Sequence, residues 1–118
     1  RSSGGEPMIR CTLYIGLYPG SDAKDTRRSK HAVRQRRRLA REILDARFKA
    51  WTQVNGTGRW EGSPEPTMIA TVYLPGPAAA ARKDASATAE LIARALEQDC
   101  ILLDVTPTHT DLVGRGDA

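Results

Sequence analysis

A chain of 118 residues that is 40% hydrophobic suffices for one domain with its own core, which excludes a disordered chain. Its longest apolar run falls far short of a membrane span, so a soluble protein of the cytoplasm is expected. The net charge of +4 is unevenly spread: residues 24–49 hold eleven basic and three acidic side chains, a net +8, and the remainder nets −4. One basic element on a mildly acidic body points to an anionic partner.

Residues 1–7, "RSSGGEP", read as a flexible leader or expression remnant, ahead of a single domain over 8–106 and a polar tail over 107–118. "MIRCTLYIGLY", 8–18, alternates: Ile9, Cys11, Leu13, Ile15 and Leu17 point one way, and Arg10, Thr12, Tyr14, Gly16 and Tyr18 the other. That predicts a half-buried strand. "PGSDAKD" follows as turn chemistry.

A helix is predicted over about residues 29–49. At about 100° per residue, Val33, Leu39, Ala40, Ile43 and Leu44 share one broad arc. Lys30, Arg34, Arg37, Arg38 and Arg41 gather on the adjoining arc. Arg36 and Arg47 fall inside the apolar arc and must snorkel, pair or meet another chain. Arg41 and Asp45, four apart, are placed to pair.

"FKAWTQVN" reads as the next strand, with the turn expected at Asn55-Gly56 and Thr57-Gly58, residues that tolerate positive φ. Trp51 and Trp60 would then flank the turn, either clamping the ladder or offering an aromatic surface to a partner. "PTMIATVYLP", 66–75, is a strand with Met68, Ala70, Val72 and Leu74 on its apolar face. "GPAAAARK" reads as a loop. Asp84 or Ser86 would cap a helix running to about residue 98, with Leu91, Ile92, Ala95 and Leu96 as its stripe. "CILLDVT", 100–106, is the last strand.

The order β-α-β-β-α-β predicts an α+β ferredoxin-like sandwich: a four-stranded antiparallel sheet with two helices on one face. The first and third strands would be central. The face opposite the helices would be open, displaying Tyr14 and Tyr73, much as aromatic residues are displayed on RNA-recognition domains, although the basic-aromatic glycine motif of those domains is missing from "TMIATVYLP".

Three short motifs carry a resemblance over roughly residues 11–105: Trp51-Thr52, Gly58-Arg59-Trp60 and Glu65-Pro66-Thr67. With "TLYIGLYPG" ahead of them, the chain resembles a family of small uncharacterised proteins of bacteria and their phages, marked by a G-x-W and an E-x-T pattern. The resemblance implies a ferredoxin-like fold and no particular chemistry. The Ala-, Arg- and Gly-rich usage is similar to that of high-GC actinobacteria or their phages.

No phosphate loop, dinucleotide-binding glycine motif or metal-ligand spacing is present. Cys11, His31, Cys100 and His109 match no zinc pattern, and both cysteines, set in apolar stretches, read as buried free thiols. No cofactor is expected. His31 reads as a solvated helix-end residue. His109 with Asp111 two residues on, and Glu61 with Glu65 across a turn, are the alternatives for acid–base work, so a small enzyme using His109 or Glu65 stays open as a further reading. The sequence supports a non-enzymatic binding protein. Lys30, Arg34, Arg37, Arg38 and Arg41 are its candidates for a nucleotide or nucleic acid. Tyr14, Tyr73, Trp51 and Trp60 are its candidates for the sheet face or a homo-oligomer contact. A purely structural or protein-interaction subunit without a ligand is the other reading.

Overall fold

A computed structural model describes residues 7–20 and 28–116. The leader residues 1–6, most of the "PGSDAKD" turn, and Lys24 and Arg27 lie outside the described residues. The elements are β1 (Pro7–Gly16), α1 (Lys30–Arg47), β2 (Thr52–Trp60), β3 (Ser63–Pro75), α2 (Ala78–Leu96) and β4 (Leu102–His109). The strands form one sheet in the order β2-β3-β1-β4, with every neighbouring pair antiparallel. This is the ferredoxin-like α+β arrangement, and the first and third strands are central.

Alternation on β1 buries Ile9, Cys11, Leu13 and Ile15 against the helices. Met68, Ala70 and Val72 of β3 join them, and the two helices close the same cluster with Val33, Ala40, Leu44, Ala81, Ala85, Ala89, Ile92 and Leu96. Ser29 starts α1 by accepting the Ala32 N–H on its hydroxyl at 3.1 Å. Phe48, expected in the next strand, is instead the buried C-cap of α1. Ile43 is only partly buried and Leu39 is exposed, so the apolar arc of α1 is narrower than expected.

The hairpin turns at Glu61-Gly62, with φ of 49° and 82°, and not at Asn55–Gly58. Asn55-Gly56 and Thr57-Gly58 lie inside β2, paired with Met68-Thr67 and Pro66-Glu65. Two-residue turns with both residues at positive φ match the strand twist. The register closed there also adds four pairs to the β2–β3 ladder beyond Gly56↔Thr67. Pro64 and Pro66 are tolerated because β1 reaches only to Gly16↔Thr67, leaving that stretch of β3 without a strand on its second side.

α2 begins at Ala78, well before either expected cap, with Pro77 at its N-cap. The run of alanines that reads as a loop beside Gly76-Pro77 has the best intrinsic helix propensity, and Pro77 supplies a φ suited to the helix start. Asp84 and Ser86 are interior to the helix. Leu91 and Ala95 face outward, and Thr88, Ala89, Ile92 and Leu96 are buried. α2 ends on Glu97 in the left-handed conformation, with the Gln98 N–H bonded to the Ala93 carbonyl at 2.9 Å. β4 runs on to His109, so residues 107–109 belong to the sheet and not to a tail. Among the described residues no helix is long and apolar enough to cross a membrane.

Candidate functional site

Three surfaces carry the candidate residues: the outer flank of α1, the open face of the sheet, and a cleft at the end of the sheet where β1 leaves it.

On α1, Lys30, Arg34, Arg38 and Arg41 are exposed and Arg37 is half-buried. Arg38 pairs with Glu42 at 3.3 Å. Arg41 and Asp45, expected to pair, do not: the Asp45 carboxylate accepts the Trp51 indole N–H at 2.8 Å instead. Among the described residues no ion pair engages Lys30, Arg34, Arg37 or Arg41, and the Arg37 Nε is buried without a hydrogen-bond partner. The two arginines inside the apolar arc are used internally. Arg47 donates to the buried Thr88 hydroxyl at 3.2 Å and to Asp84 at 3.1 Å, which ties α1 to α2. Arg36 reaches the Leu17 carbonyl at 3.5 Å. The helix thus sorts its cations into those that hold the fold and a stripe that does not.

The face of the sheet away from the helices carries a row of directly opposed apolar residues, Val54, Ile69, Tyr14 and Leu102, one from each strand in spatial order. Leu102 is 67% exposed, Val54 55% and Tyr14 37%. The next row, Thr52, Thr71, Thr12 and Asp104, is polar, with the Thr12 and Thr71 hydroxyls 3.2 Å apart. Tyr73 lies beyond it, opposite Arg10, and is exposed. Both tyrosines therefore take their expected places. The tryptophans do not flank a turn: they sit at opposite ends of the β2 segment and on opposite faces. Trp51 packs on the core and bonds to α1, so it leaves the sheet-face set. Trp60 shares the open face with Val54 and is 69% exposed.

The G-x-W and E-x-T residues explain themselves structurally. A Cβ on Gly58 would lie 2.7 Å from the Thr67 hydroxyl, which accepts the Gly58 N–H at 3.1 Å and donates to the Glu65 carbonyl. The Glu65 carboxylate accepts the Tyr18 N–H at 2.9 Å, and Gln98 donates to both Glu65 and the Tyr18 carbonyl. Glu65 is thus engaged in closing the end of the sheet. His109 sits opposite Pro7 and Glu65 beside Gly16, at the two ends of β1, about 30 Å apart, so the structure does not bring the two acid–base candidates together. His31 is exposed on the first turn of α1.

The cleft, missed by sequence reasoning, holds about 320 Å³ and is lined by Tyr18, Arg28, Trp60, Glu61, Glu65 and Asp99 among others. The Arg28 guanidinium lies 4.8 Å from the centre of the Tyr18 ring. No sequence spacing marks this site, because its residues come from four separate stretches of chain.

Cys11 is buried and free, and burial, with a lesser contribution from the Asp84 charge, pushes its thiol above the usual range. Cys100, expected to be buried, is exposed and free: β4 begins only at Leu102, which leaves Asp99 and Cys100 at the surface while Ile101 packs against the core. Among the described residues no cluster of three or more His, Cys, Asp or Glu side chains could hold a metal.

No family model and no curated protein matches the chain. Among solved structures it is similar to a de novo designed protein with a ferredoxin fold, determined in solution by NMR. The two share 13% identity over 95% of this chain and 91% of that one, at a TM-score of 0.36. The fold assignment rests on the strand order and element sequence of this chain.

Proposed function

We propose that this is a small, non-enzymatic binding protein that engages a phosphate-bearing partner, a nucleotide or nucleic acid, through the stripe on α1. The observation that carries the reading is that Lys30, Arg34, Arg37 and Arg41 share one flank of a rigid helix without an ion-pair partner among the described residues. Guanidinium groups one turn apart suit successive phosphates, and a rigid helix holds them in place before binding. The compartment proposed for this activity is the cytoplasm of a bacterium or of a phage-infected bacterium.

The test uses inorganic polyphosphate, which carries the phosphates and nothing else. Binding is expected at low salt, falling steeply as salt rises, and lost in the triple variant Arg34→Glu, Arg37→Glu, Arg41→Glu. Unchanged binding by the variant defeats the reading.

A second element of the proposal is self-association through the open sheet face. The row Val54, Ile69, Tyr14 and Leu102 supports it, and the occupant that suits the face is a second copy of the chain. The face holds one arginine and one aspartate near that row, Arg10 and Asp104, so two copies meet without net repulsion, and the basic stripes end up on the outside. Four strands by about nine residues give a footprint of about 600 Å² per partner, the lower bound for a standard stable interface. Light scattering should report a dimer, and Leu102→Asp a folded monomer. A wild-type monomer at high concentration removes this element and leaves the α1 stripe as the binding surface.

A further inference from the structure

The stripe on α1 ends at Lys30, the first residue of the helix. Two residues upstream stands Arg28, which lines the cleft at the end of the sheet. From Lys30 the stripe extends to Arg41, about 17 Å along the helix, and the first turn of α1 contains no acidic side chain. The cleft thus adjoins the N-terminal end of α1.

The cleft has the features of a site for a flat heterocycle. Its volume of about 320 Å³ falls at the lower end of small-molecule sites. Trp60 lines it, is 69% exposed overall, and does not help to pack the core. The Arg28 guanidinium already lies over the Tyr18 ring, so two planar surfaces are available for stacking. Glu61 and Asp99 supply carboxylates that accept hydrogen bonds from exocyclic amino groups on a base edge.

We infer that this cleft seats one unpaired base of a single-stranded nucleic acid, stacked on Trp60, while the adjoining phosphates follow α1; the inference rests on the proposed role of the α1 stripe. A base inside a duplex is already stacked and cannot enter, so the site selects single strands. Cytosine and adenine, with amino groups on their exposed edges, suit the carboxylates better than thymine. Trp60 lies six residues along β2 from Val54, about 20 Å from the apolar row.

The test compares a fluorescently labelled short oligodeoxycytidylate, an abasic deoxyribose-phosphate chain of the same length, and inorganic polyphosphate, on the full chain and on Trp60→Ala. Circular dichroism confirms that the variant folds. The oligonucleotide should bind the wild type about 5- to 100-fold more tightly than the abasic chain, and Trp60→Ala should abolish that advantage without changing polyphosphate binding. In a Trp51→Phe background, the remaining indole fluorescence should be quenched by the oligonucleotide and not by polyphosphate. Equal binding of oligonucleotide and abasic chain, or an advantage that survives in Trp60→Ala, overturns the base site while polyphosphate binding upholds the stripe. Loss of polyphosphate binding overturns the stripe, and absence of binding by all three probes overturns both.

Discussion

The Glu65 carboxylate accepts the Tyr18 N–H at 2.9 Å by lying across Gly16, where an added Cβ would come within 2.5 Å of it. The two residues are 47 positions apart in the chain and join the end of β1 to the start of β3. Their contact predicts non-additive stabilities. Glu65→Ala should cost about 1–3 kcal/mol by leaving the Tyr18 N–H without its charged acceptor. Gly16→Ala should cost a similar amount by displacing the same carboxylate, and the double variant little more than either alone. Urea unfolding of the four proteins measures the coupling, and simple additivity would show that Gly16 serves another purpose.

Thr67 predicts a smaller effect at the neighbouring position. Thr67→Val keeps the shape and removes the hydroxyl that accepts from Gly58, so a loss of about 1 kcal/mol is expected. Amide exchange at Gly58 should quicken selectively, and protection equal to the wild type would rule out the bond as the reason.

Arg47 joins the two helices through Thr88 and Asp84. Because Thr88 is fully buried, Arg47→Met should destabilise the fold by about 1–2 kcal/mol, although it removes a charge from a basic helix. The same change should leave polyphosphate binding intact. A variant that unfolds normally but binds weakly would instead move Arg47 into the stripe.

The two thiols should differ in reactivity. Iodoacetamide should modify Cys100 in the native protein and reach Cys11 only after denaturation. Mass spectrometry of native and urea-treated samples checks this.

Cys11 also predicts a pH dependence of definite sign. Its thiol titrates higher in the folded protein than in the unfolded chain, chiefly through burial. The contribution is constant at neutral pH. As pH rises past about 8.5 the unfolded chain ionises first, so stability falls until the folded thiol ionises as well. The unfolding midpoint of the wild type should decline more steeply with alkaline pH than that of Cys11→Ala, and parallel profiles would contradict the assignment.

Much of the architecture is legible in local pattern. Alternation over 8–18 reflects the burial of Ile9, Cys11, Leu13 and Ile15 on one face and predicts β1 directly. The 3.6-residue period of Val33, Ala40 and Leu44 does the same for α1, and the order of elements then leaves the ferredoxin-like sheet as the natural arrangement. The basic stripe is legible for the same reason: neighbouring turns of one helix place its residues together whatever surrounds them.

Non-local energies decided the rest. Where β2 turns into β3 depends on how many ladder pairs form across the hairpin, and Glu61-Gly62 prevailed over Asn55-Gly56 although the latter is the stronger local turn signal. That register alone sends Trp51 to the core side and Trp60 to the open face. The pairing of Asp45 with Trp51 in place of Arg41, and of Arg47 with Asp84, required knowing which elements lie side by side. The cleft is the extreme case, since Tyr18, Arg28, Trp60 and Asp99 meet only once the sheet has closed and both helices have docked. The sequence by itself determined the elements and the basic stripe, because burial and helical spacing act over a few residues. Only the tertiary structure decided what those elements bring together, because contacts between distant segments depend on the register and packing of the whole chain.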